Sequence, residues 1–204
     1  YSQRFICSEA VLRQWDIANT DISKAFLQGV TYKELAEKTG EPLREVNFYL
    51  PHYCYQFLRK IPGYEDFDPS REVLHCLKPG TGCNDAPRCF SLKLAEVTKS
   101  IGLKPCTIDG ELCFMHHNDE LCAVMAKHVD DLKLCGLRAT IIYILKAIEK
   151  VFGELKIEWN SFTNCGIHHV QDAATKEVVL DQCEYVSHCL LYTSPSPRDP
   201  RESR

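Results

Sequence analysis

Residues 121–136 read LCAVMAKHVDDLKLCG, and the order of apolar and charged residues in this stretch decides the predicted fold. Apolar runs flank a central His128-Val129-Asp130-Asp131, which is typical of two short strands joined by a tight turn. Adjacent carboxylates at such a tip repel each other unless a cation lies between them. Mg²⁺ combines carboxylate oxygens with substrate phosphates. Taken alone, however, the pair is better explained as a solvated turn.

Composition limits the classes of protein that the chain can represent. With 204 residues, of which 45% are hydrophobic and 25% charged, it can bury the core of one or two domains. The formal net charge of -4 excludes an overall basic footprint, so any nucleic-acid groove is a local feature. Because the sequence shows neither a signal peptide nor a membrane-spanning apolar run, we expect an intracellular protein with no membrane partner.

The cysteines and the first residue carry two further expectations. None of the 12 cysteines forms a C-x-x-C pair, so we predict reduced, mostly buried thiols rather than structural zinc or a disulfide framework. A chain that starts at Tyr1 rather than at a methionine is expected to be a fragment.

A second carboxylate comes from the segment at residues 11–21, which we interpret as a strand that ends at Asp21. Residues 22–27 would then begin a helix or a turn, and the competing interpretation makes Asp21 the N-cap of that helix. Asp16 is the weaker metal candidate because it lies within the predicted strand.

The remaining elements follow from periodicity and from turn residues. Residues 46–57 are rich in aromatic side chains, which can stack on bases when basic residues follow, although packing against the core is the preferred interpretation. Residues 64–70 are predicted to form a loop. We predict helices at 31–45 (ending near Gly40 and Pro42), 87–100 and 139–152, strands at 73–78, 104–115, 155–159 and 165–170, and a strand that runs into a helix at 178–185.

This order of elements predicts an α+β domain with an antiparallel sheet and helices on one face. A split βαβ arrangement of this kind, as in a polymerase palm, would bring the end of the Asp21 strand beside the tip of the Asp130 hairpin.

Several separated segments resemble, in order, the reverse transcriptase of copia-type long-terminal-repeat retrotransposons. The segment DISKAFLQG at 21–29 is similar to the first catalytic motif of that family, and HVDD at 128–131 is similar to its YVDD box. The segments LKPGTGCNDAPR at 77–88, CGI at 165–167 and LDQCEY at 180–185 are similar to later motifs. The resemblance covers about residues 14–186.

The resemblance implies an RNA-directed DNA polymerase whose carboxylates hold two Mg²⁺ ions, with Mn²⁺ as a substitute, roughly 3.5–4 Å apart. Asp21 and Asp130 would be the bridging pair and Asp131 a further catalytic ligand. The implied nucleotide-binding residues are Phe26, Gly82, Pro87 and Arg88. Phe26 would exclude a ribose 2′-hydroxyl. On spacing alone, however, a phenylalanine of the core is nearly as good an interpretation of this residue. Lys156 would donate a proton to pyrophosphate, although a surface lysine is the better interpretation.

The resemblance also implies domain organisation, partners and localisation. Residues 1–188 would form a palm with part of the fingers and the start of the thumb. Separately from this resemblance, residues 189–199 match one reading frame of a sequencing adapter, so residues 189–204 are predicted to be an adapter-derived, disordered tail. The alternative is a natural, proline-rich disordered tail. The expected partners are an RNA template, a DNA primer, deoxynucleoside triphosphates and the rest of a retrotransposon polyprotein. The expected location is a cytoplasmic virus-like particle, with the DNA product going to the nucleus.

Two alternatives remain open. Departures from the family pattern, including His128 before Val-Asp-Asp and Asn84 in place of a lysine, are compatible with a catalytically inactive, polymerase-like remnant that binds nucleic acid. A metal site built from His116-His117 and His168-His169 is disfavoured, because adjacent residues of a strand point to opposite faces.

Overall fold

A computed structural model describes residues 2–193 and contains antiparallel sheets together with α-helices, which confirms the predicted α+β class. The chain divides into two compact units. The larger unit contains the residues up to Ser23 and those from Val97 onward, and the smaller unit contains Lys24–Glu96.

The elements follow one another in a simple order. The first are α1 (Ser2–Arg13), β1 (Asp16–Asp21), a 3-10 helix (Ala25–Leu27), α2 (Tyr32–Thr39), β2 (Asn47–Phe48), a second 3-10 helix (His52–Cys54), α3 (Tyr55–Leu58), β3 (Leu74–His75) and α4 (Ala86–Ser100). They are followed by β4 (Lys104–Pro105), β5 (Leu112–His117), β6 (Glu120–His128), β7 (Asp131–Gly136), α5 (Arg138–Phe152), β8 (Lys156–Trp159), β9 (Ser161–Asn164), β10 (Ile167–Gln171), β11 (Val178–Asp181) and α6 (Cys183–Thr193).

The main sheet of the larger unit is antiparallel and has the strand order β4-β5-β6-β7-β1-β8. The hairpin of β6 and β7 confirms the strand-turn-strand prediction, with His128 opposite Asp131 across the turn. Strand β1 lies between β7 and β8, so Asp21 is opposite Asp131 on one side and Lys156 on the other. A second sheet has the order β11-β10-β9.

Alternation along β7 fixes which side chains enter the core. Asp131, Lys133 and Cys135 share one face of the sheet, whereas Leu132 and Leu134 share the other. Both faces are buried, and a slip of one residue would move Lys133 into the place of a leucine, which disfavours any other register. On the Cys135 face, side chains from α1, the main sheet and the second sheet form one apolar cluster: Ile6, Ala10, Trp15, Ile17, Leu112, Val124, Ala126, Cys135 and Phe162.

The smaller unit has a core of its own around Val30, Tyr32, Leu35 and Cys89. Helix α2 begins with a capping box, in which the Thr31 hydroxyl accepts from the Glu34 N–H and the Glu34 carboxylate accepts from the Thr31 N–H. It ends at Gly40, as predicted.

Several predicted boundaries were wrong because short-range patterns do not show tertiary support. Helix α1 was not predicted, because its apolar residues are spread around the helix axis instead of lying on one face. In the structure, Leu12 of this helix is 75% exposed. The strand predicted at residues 11–21 is therefore shorter, because residues 11–13 belong to α1. Strand β3 has two residues instead of six, and β9 was missed.

The prediction that the aromatic residues at 46–57 pack against the core was also wrong for most of them. Tyr49, Tyr53 and Phe57 are 74%, 70% and 58% exposed. Only a two-residue strand and single helical turns form here, and such short elements offer little surface to cover a ring. Tyr55, which contacts Phe67 at a ring-centroid distance of 6.1 Å, is the partly buried exception.

The cysteines and the carboxyl-terminal segment complete the comparison. The ten cysteines from Cys54 to Cys183 are free thiols, and of all 12 cysteines only Cys7, Cys89, Cys113 and Cys135 are buried, so the "mostly buried" prediction was wrong. The predicted disordered tail starts at Cys189, yet α6 continues to Thr193 through leucine-containing sequence that favours a helix. Residues 194–204 lie outside the described residues. No helix between residues 2 and 193 is long and apolar enough to cross a membrane.

Candidate carboxylate site

Three aspartates meet at one end of the main sheet. Asp21 is the last residue of β1 and Asp131 is the first residue of β7, and the antiparallel register places the two opposite each other. Asp130 lies in the turn before β7, and its carbonyl accepts a hydrogen bond of 3.1 Å from the Ile22 N–H. The fold therefore brings together two segments that are more than 100 residues apart in sequence.

The turn that carries Asp130 has an unusual backbone. Val129 has a φ of +58°, a left-handed conformation that is costly for a β-branched residue. Two-residue hairpin turns whose twist matches that of the strands need a positive φ at their first residue. Glycine is therefore favoured at that position. Strain of this kind persists where the surrounding structure determines it, and it often accompanies functional sites.

The carboxylates perturb one another. Burial raises the pKa of Asp131, and the charges of Asp21 and Asp130 raise it further. His128 and a hydrogen bond from the backbone N–H of Cys165 act in the opposite direction. Burial and the charge of Asp130 likewise raise the pKa of Asp21. The sheet therefore holds like charges together at a free-energy cost, since opposed like charges destabilise a strand pair.

The segment that contains Cys165 had no predicted role in the site, and the hydrogen bond from Cys165 to Asp131 gives it one. Cys165 and Gly166 form the turn between β9 and β10, and both have positive φ angles, of 50° and 74°. This turn directs a backbone donor at Asp131.

The donor chemistry of the three aspartates fits a hard cation such as Mg²⁺, which prefers carboxylate oxygens. Their mutual repulsion is the property that a bound cation would relieve. In residues 2–193, however, no group of three or more His, Cys, Asp or Glu side chains is gathered closely enough to hold a metal ion. The side chains would have to rotate about their χ angles to surround one.

Two basic side chains border this site. His128 precedes the turn, and its position opposite Asp131 places both side chains on the same face. Lys156 is opposite Asp21 on the other side of β1, and its ammonium group lies 2.9 Å from a carboxylate oxygen of Glu158. The Lys156 side chain is largely solvent-exposed, in agreement with its interpretation as a surface lysine.

A polar layer that the sequence did not reveal lies on the same face of the sheet, one step further from the turn. Lys133 is fully buried, and its ammonium nitrogen lies 3.1 Å from Cys7 Sγ and 2.7 Å from His169 Nε2. His169 Nδ1 is 2.8 Å from the Ile167 carbonyl, so Nδ1 carries the proton and Nε2 accepts from Lys133. Because side chains alternate between the two faces of a strand, the spacing of Asp131 and Lys133 could have predicted that this lysine lies on the core face.

Acidification should destabilise the protein through His169. Burial, followed by the charge of Lys133, lowers the pKa of His169 to about 4. The unfolded chain therefore takes up a proton near the ordinary pKa of 6.5, whereas the folded chain does so only at about 4. Stability is fully present above pH 6.5 and is lost as the pH falls through this window, by roughly 2–3 kcal/mol.

Urea unfolding of the wild type and of His169→Gln at pH 7 and 4.5 would measure this loss. The variant should lose less stability than the wild type between the two pH values. His117→Gln, which changes an exposed histidine of the same unit, serves as the control and should behave like the wild type. Equal pH dependence in all three proteins would contradict the assignment.

Asp16 has a structural role instead of a place in the site. Its carboxylate pairs with Lys176 at 2.6 Å and with Arg138 at 3.3 Å, and these two partners lower its pKa although burial opposes them. Asp21 is not the N-cap of the following 3-10 helix, because Lys24 occupies that position. Of the paired histidines, His168 Nδ1 lies 3.2 Å from Asp181, which does not suggest a metal site.

The other predicted site residues belong to the smaller unit. Phe26 is half-buried in the first 3-10 helix, Gly82 lies in an exposed loop, and Pro87 and Arg88 are exposed in the first turn of α4. The Arg88 guanidinium makes two hydrogen bonds to the Glu41 carboxylate, at 3.0 and 2.9 Å. Glu41 was not predicted to take part.

Two of the sequence motifs meet inside this smaller unit. The Val30 N–H donates to the Cys89 carbonyl at 3.2 Å. A Cβ atom added to Gly29 would lie 2.9 Å from the Cys89 backbone. The segment that contains Phe26 is therefore held directly against the start of α4, and this close approach explains the glycine at position 29.

Comparison with known proteins gives limited similarity. No protein-family model matches the sequence. The chain is 24% identical over 142 residues to the Retrovirus-related Pol polyprotein from transposon RE1 of Arabidopsis thaliana, a match that covers 70% of this chain and 8% of that polyprotein. Among solved structures, apo telomerase from Candida tropicalis, truncated from the C-terminal domain, has a TM-score of 0.46 at 10% identity. That match covers 88% of this chain and 39% of the telomerase chain.

These findings define the chain coarsely. It is an α+β protein with three aspartates at one end of an antiparallel sheet. Its similarity to a retrotransposon polyprotein, of which it spans a small part, indicates a retroelement-derived protein.

Proposed function

We propose that the chain carries the catalytic palm of an RNA-directed DNA polymerase from a copia-type retrotransposon. One observation supports this proposal most strongly: the antiparallel pairing of β1 with β7 places Asp21 opposite Asp131, beside the turn that carries Asp130. The aspartates of two distant sequence motifs thus meet in one place. The similarity to a transposon Pol polyprotein agrees with this function at a coarser level.

In this proposal, Asp21, Asp130 and Asp131 would hold two Mg²⁺ ions, with Mn²⁺ as a substitute. When bound, the ions would lower the pKa of the primer 3′-hydroxyl and balance the charge of the leaving pyrophosphate. The Cys165 N–H favours the ionised form of the Asp131 carboxyl by lowering its pKa, against the larger effect of burial. Lys156, opposite Asp21 in the sheet, could supply a proton to the pyrophosphate once its ammonium group leaves Glu158.

The smaller unit would bind the incoming deoxynucleoside triphosphate through Phe26, Gly82, Pro87 and Arg88. Arg88 is the most informative of these residues, because its two hydrogen bonds to Glu41 are of the paired kind that a guanidinium also makes to a phosphate. A triphosphate would take the place of that carboxylate. The remaining proposed partners are an RNA template, a DNA primer and the rest of the polyprotein, inside a cytoplasmic virus-like particle whose DNA product goes to the nucleus.

Primer extension on an RNA template tests this function directly. The wild-type chain with Mg²⁺ and deoxynucleoside triphosphates should extend a DNA primer, and Asp130→Asn should reduce the rate by about 10³-fold, equivalent to about 4 kcal/mol of transition-state stabilisation. Asp119→Asn, which changes an exposed aspartate in another hairpin turn, should retain the wild-type rate. Equal rates for the wild type and Asp130→Asn would refute the proposed role.

A second candidate is a polymerase-like module that binds primer-template without catalysis. It is favoured by the fact that no metal-binding group of three side chains is assembled between residues 2 and 193. Retained binding of primer-template without any nucleotide addition would support this candidate instead.

A further inference from the structure

The smaller unit has a strand with one open edge. Strands β2 and β3 pair through Asn47 opposite His75 and Phe48 opposite Leu74, and the Cys76 N–H donates to the Val46 carbonyl at 2.8 Å. Hydrogen-bonded and non-hydrogen-bonded pairs alternate along an antiparallel ladder. The amide and carbonyl of His75 therefore point away from β2, towards the opposite edge of β3, where the His75 residue is exposed.

A groove of about 500 Å³ is lined by two segments, the loop at residues 63–67 on one wall and β3 with residues that flank it on the other. Apolar surface is available at both walls, since Tyr64 is 41% exposed and Leu77 is 72% exposed. An extended peptide can lie between the edge of a strand and a wall that faces this edge.

The charge of the groove is entirely acidic. Its lining includes Glu65, Asp66 and Glu72 but no lysine or arginine. Two of these carboxylates are fixed by the local backbone: Glu65 accepts from the Gly63 N–H at 2.8 Å, and Glu72 accepts from the Asp68 N–H at 2.7 Å.

Two neighbouring basic groups are already engaged, one of them with the lining residue Phe67. The Arg59 guanidinium donates to the Phe67 carbonyl at 3.1 Å, and Arg71 pairs with Asp68 at 3.7 Å. The groove consequently presents negative charge beside the outward-pointing amide and carbonyl of His75. The next outward carbonyl along the chain, that of Leu77, already accepts from the Tyr32 N–H at 3.0 Å.

We propose that this groove binds an extended, basic peptide segment of a partner protein, which adds as a strand to the open edge of β3. Main-chain hydrogen bonds to His75 supply the pairing, and lysine or arginine side chains of the segment face the three carboxylates. Apolar side chains at alternate positions contact Tyr64 and Leu77. Nucleic acid is the poorer ligand for this surface, because its phosphates would be repelled by the same carboxylates. The proposal is independent of polymerase activity.

Fluorescence anisotropy with a labelled decapeptide of alternating valine and lysine tests the proposal on the full chain. The peptide should bind saturably, and Glu65→Gln, Asp66→Asn, Glu72→Gln together should weaken binding by about 10-fold. The matched control is Glu120→Gln, Glu154→Gln, Glu177→Gln, which removes the same charge from exposed positions of the larger unit and should leave the affinity unchanged. Circular dichroism verifies that both triple variants fold.

Two further probes separate strand addition from simple charge attraction. The same peptide with N-methyl groups at alternate residues keeps its charge but cannot complete the ladder, and its binding should be lost. Amide hydrogen exchange at His75 should slow when the unmodified peptide binds. Equal binding of both peptides, equal affinity of the two triple variants, or preferential binding of a single-stranded oligonucleotide to the groove would each overturn the proposal.

Discussion

The Asp21→Asn, Asp130→Asn double variant is expected to lose the stabilisation that Mg²⁺ or Mn²⁺ gives the wild-type protein. A cation that binds only the folded state stabilises it by about 2.7 kcal/mol when its free concentration is 100 times its dissociation constant. The double variant retains only Asp131 among the three carboxylates and should show almost none of this effect. Thermal unfolding with and without the cation measures the difference.

The same variant should be more stable than the wild type in the absence of metal. Burial and like charge raise the pKa values of Asp21 and Asp131. A raised carboxyl pKa means that stability is present at low pH and is lost as the pH rises through the folded-state pKa. At neutral pH the carboxylates are therefore a destabilising group, and removing two charges should increase stability by about 0.5–1 kcal/mol.

A control with the same change in charge separates the site from overall electrostatics. Asp119→Asn combined with Glu154→Gln alters two exposed acidic residues of the larger unit and should keep the wild-type response to the cation. An unchanged metal response in the Asp21→Asn, Asp130→Asn variant would exclude the proposed ligands. An unchanged stability without metal would show that the repulsion is relieved in some other way.

Gly136→Ala is expected to cause the largest loss of stability in the fold itself. A Cβ atom at position 136 would lie 2.6 Å from the Cys122 carbonyl oxygen and 2.7 Å from Ala123 Cβ. Position 136 is held on both sides, opposite Asp16 in β1 and Ala123 in β6. Because the clash is with backbone in the middle of the sheet, relaxation is limited, and we expect a destabilisation of about 3 kcal/mol or more.

Urea unfolding of Gly136→Ala beside Gly110→Ala measures this effect. Nothing lies within 4 Å of a Cβ added to Gly110, so that variant should stay within about 0.5 kcal/mol of the wild type. If Gly136→Ala is equally neutral, β6 and β7 are not paired in the register described. Because that register also sets Asp131 opposite Asp21, such a result would undermine the carboxylate site as well.

The sequence by itself determined the elements with strong local patterns. The alternation within residues 121–136 predicted the hairpin of β6 and β7, and regular helical periodicity predicted α4 and α5. Asp130 and Asp131 lie between two apolar runs and Asp21 at the end of a predicted strand, and the resemblance of both segments to retrotransposon motifs identified the three as candidates. These features depend on neighbours within a few residues, which the sequence displays directly.

Only the tertiary structure decided which distant residues meet. The opposition of Asp21 and Asp131, the donor from Cys165 and the pairing of Arg88 with Glu41 join residues separated by tens to more than 100 positions. Alternation could place Lys133 on the core face, but a lysine is ordinarily exposed, and its partners Cys7 and His169, which help to make its burial tolerable, come from distant segments. Local periodicity carries no information about such partners, because burial and pairing depend on how the whole chain folds back on itself.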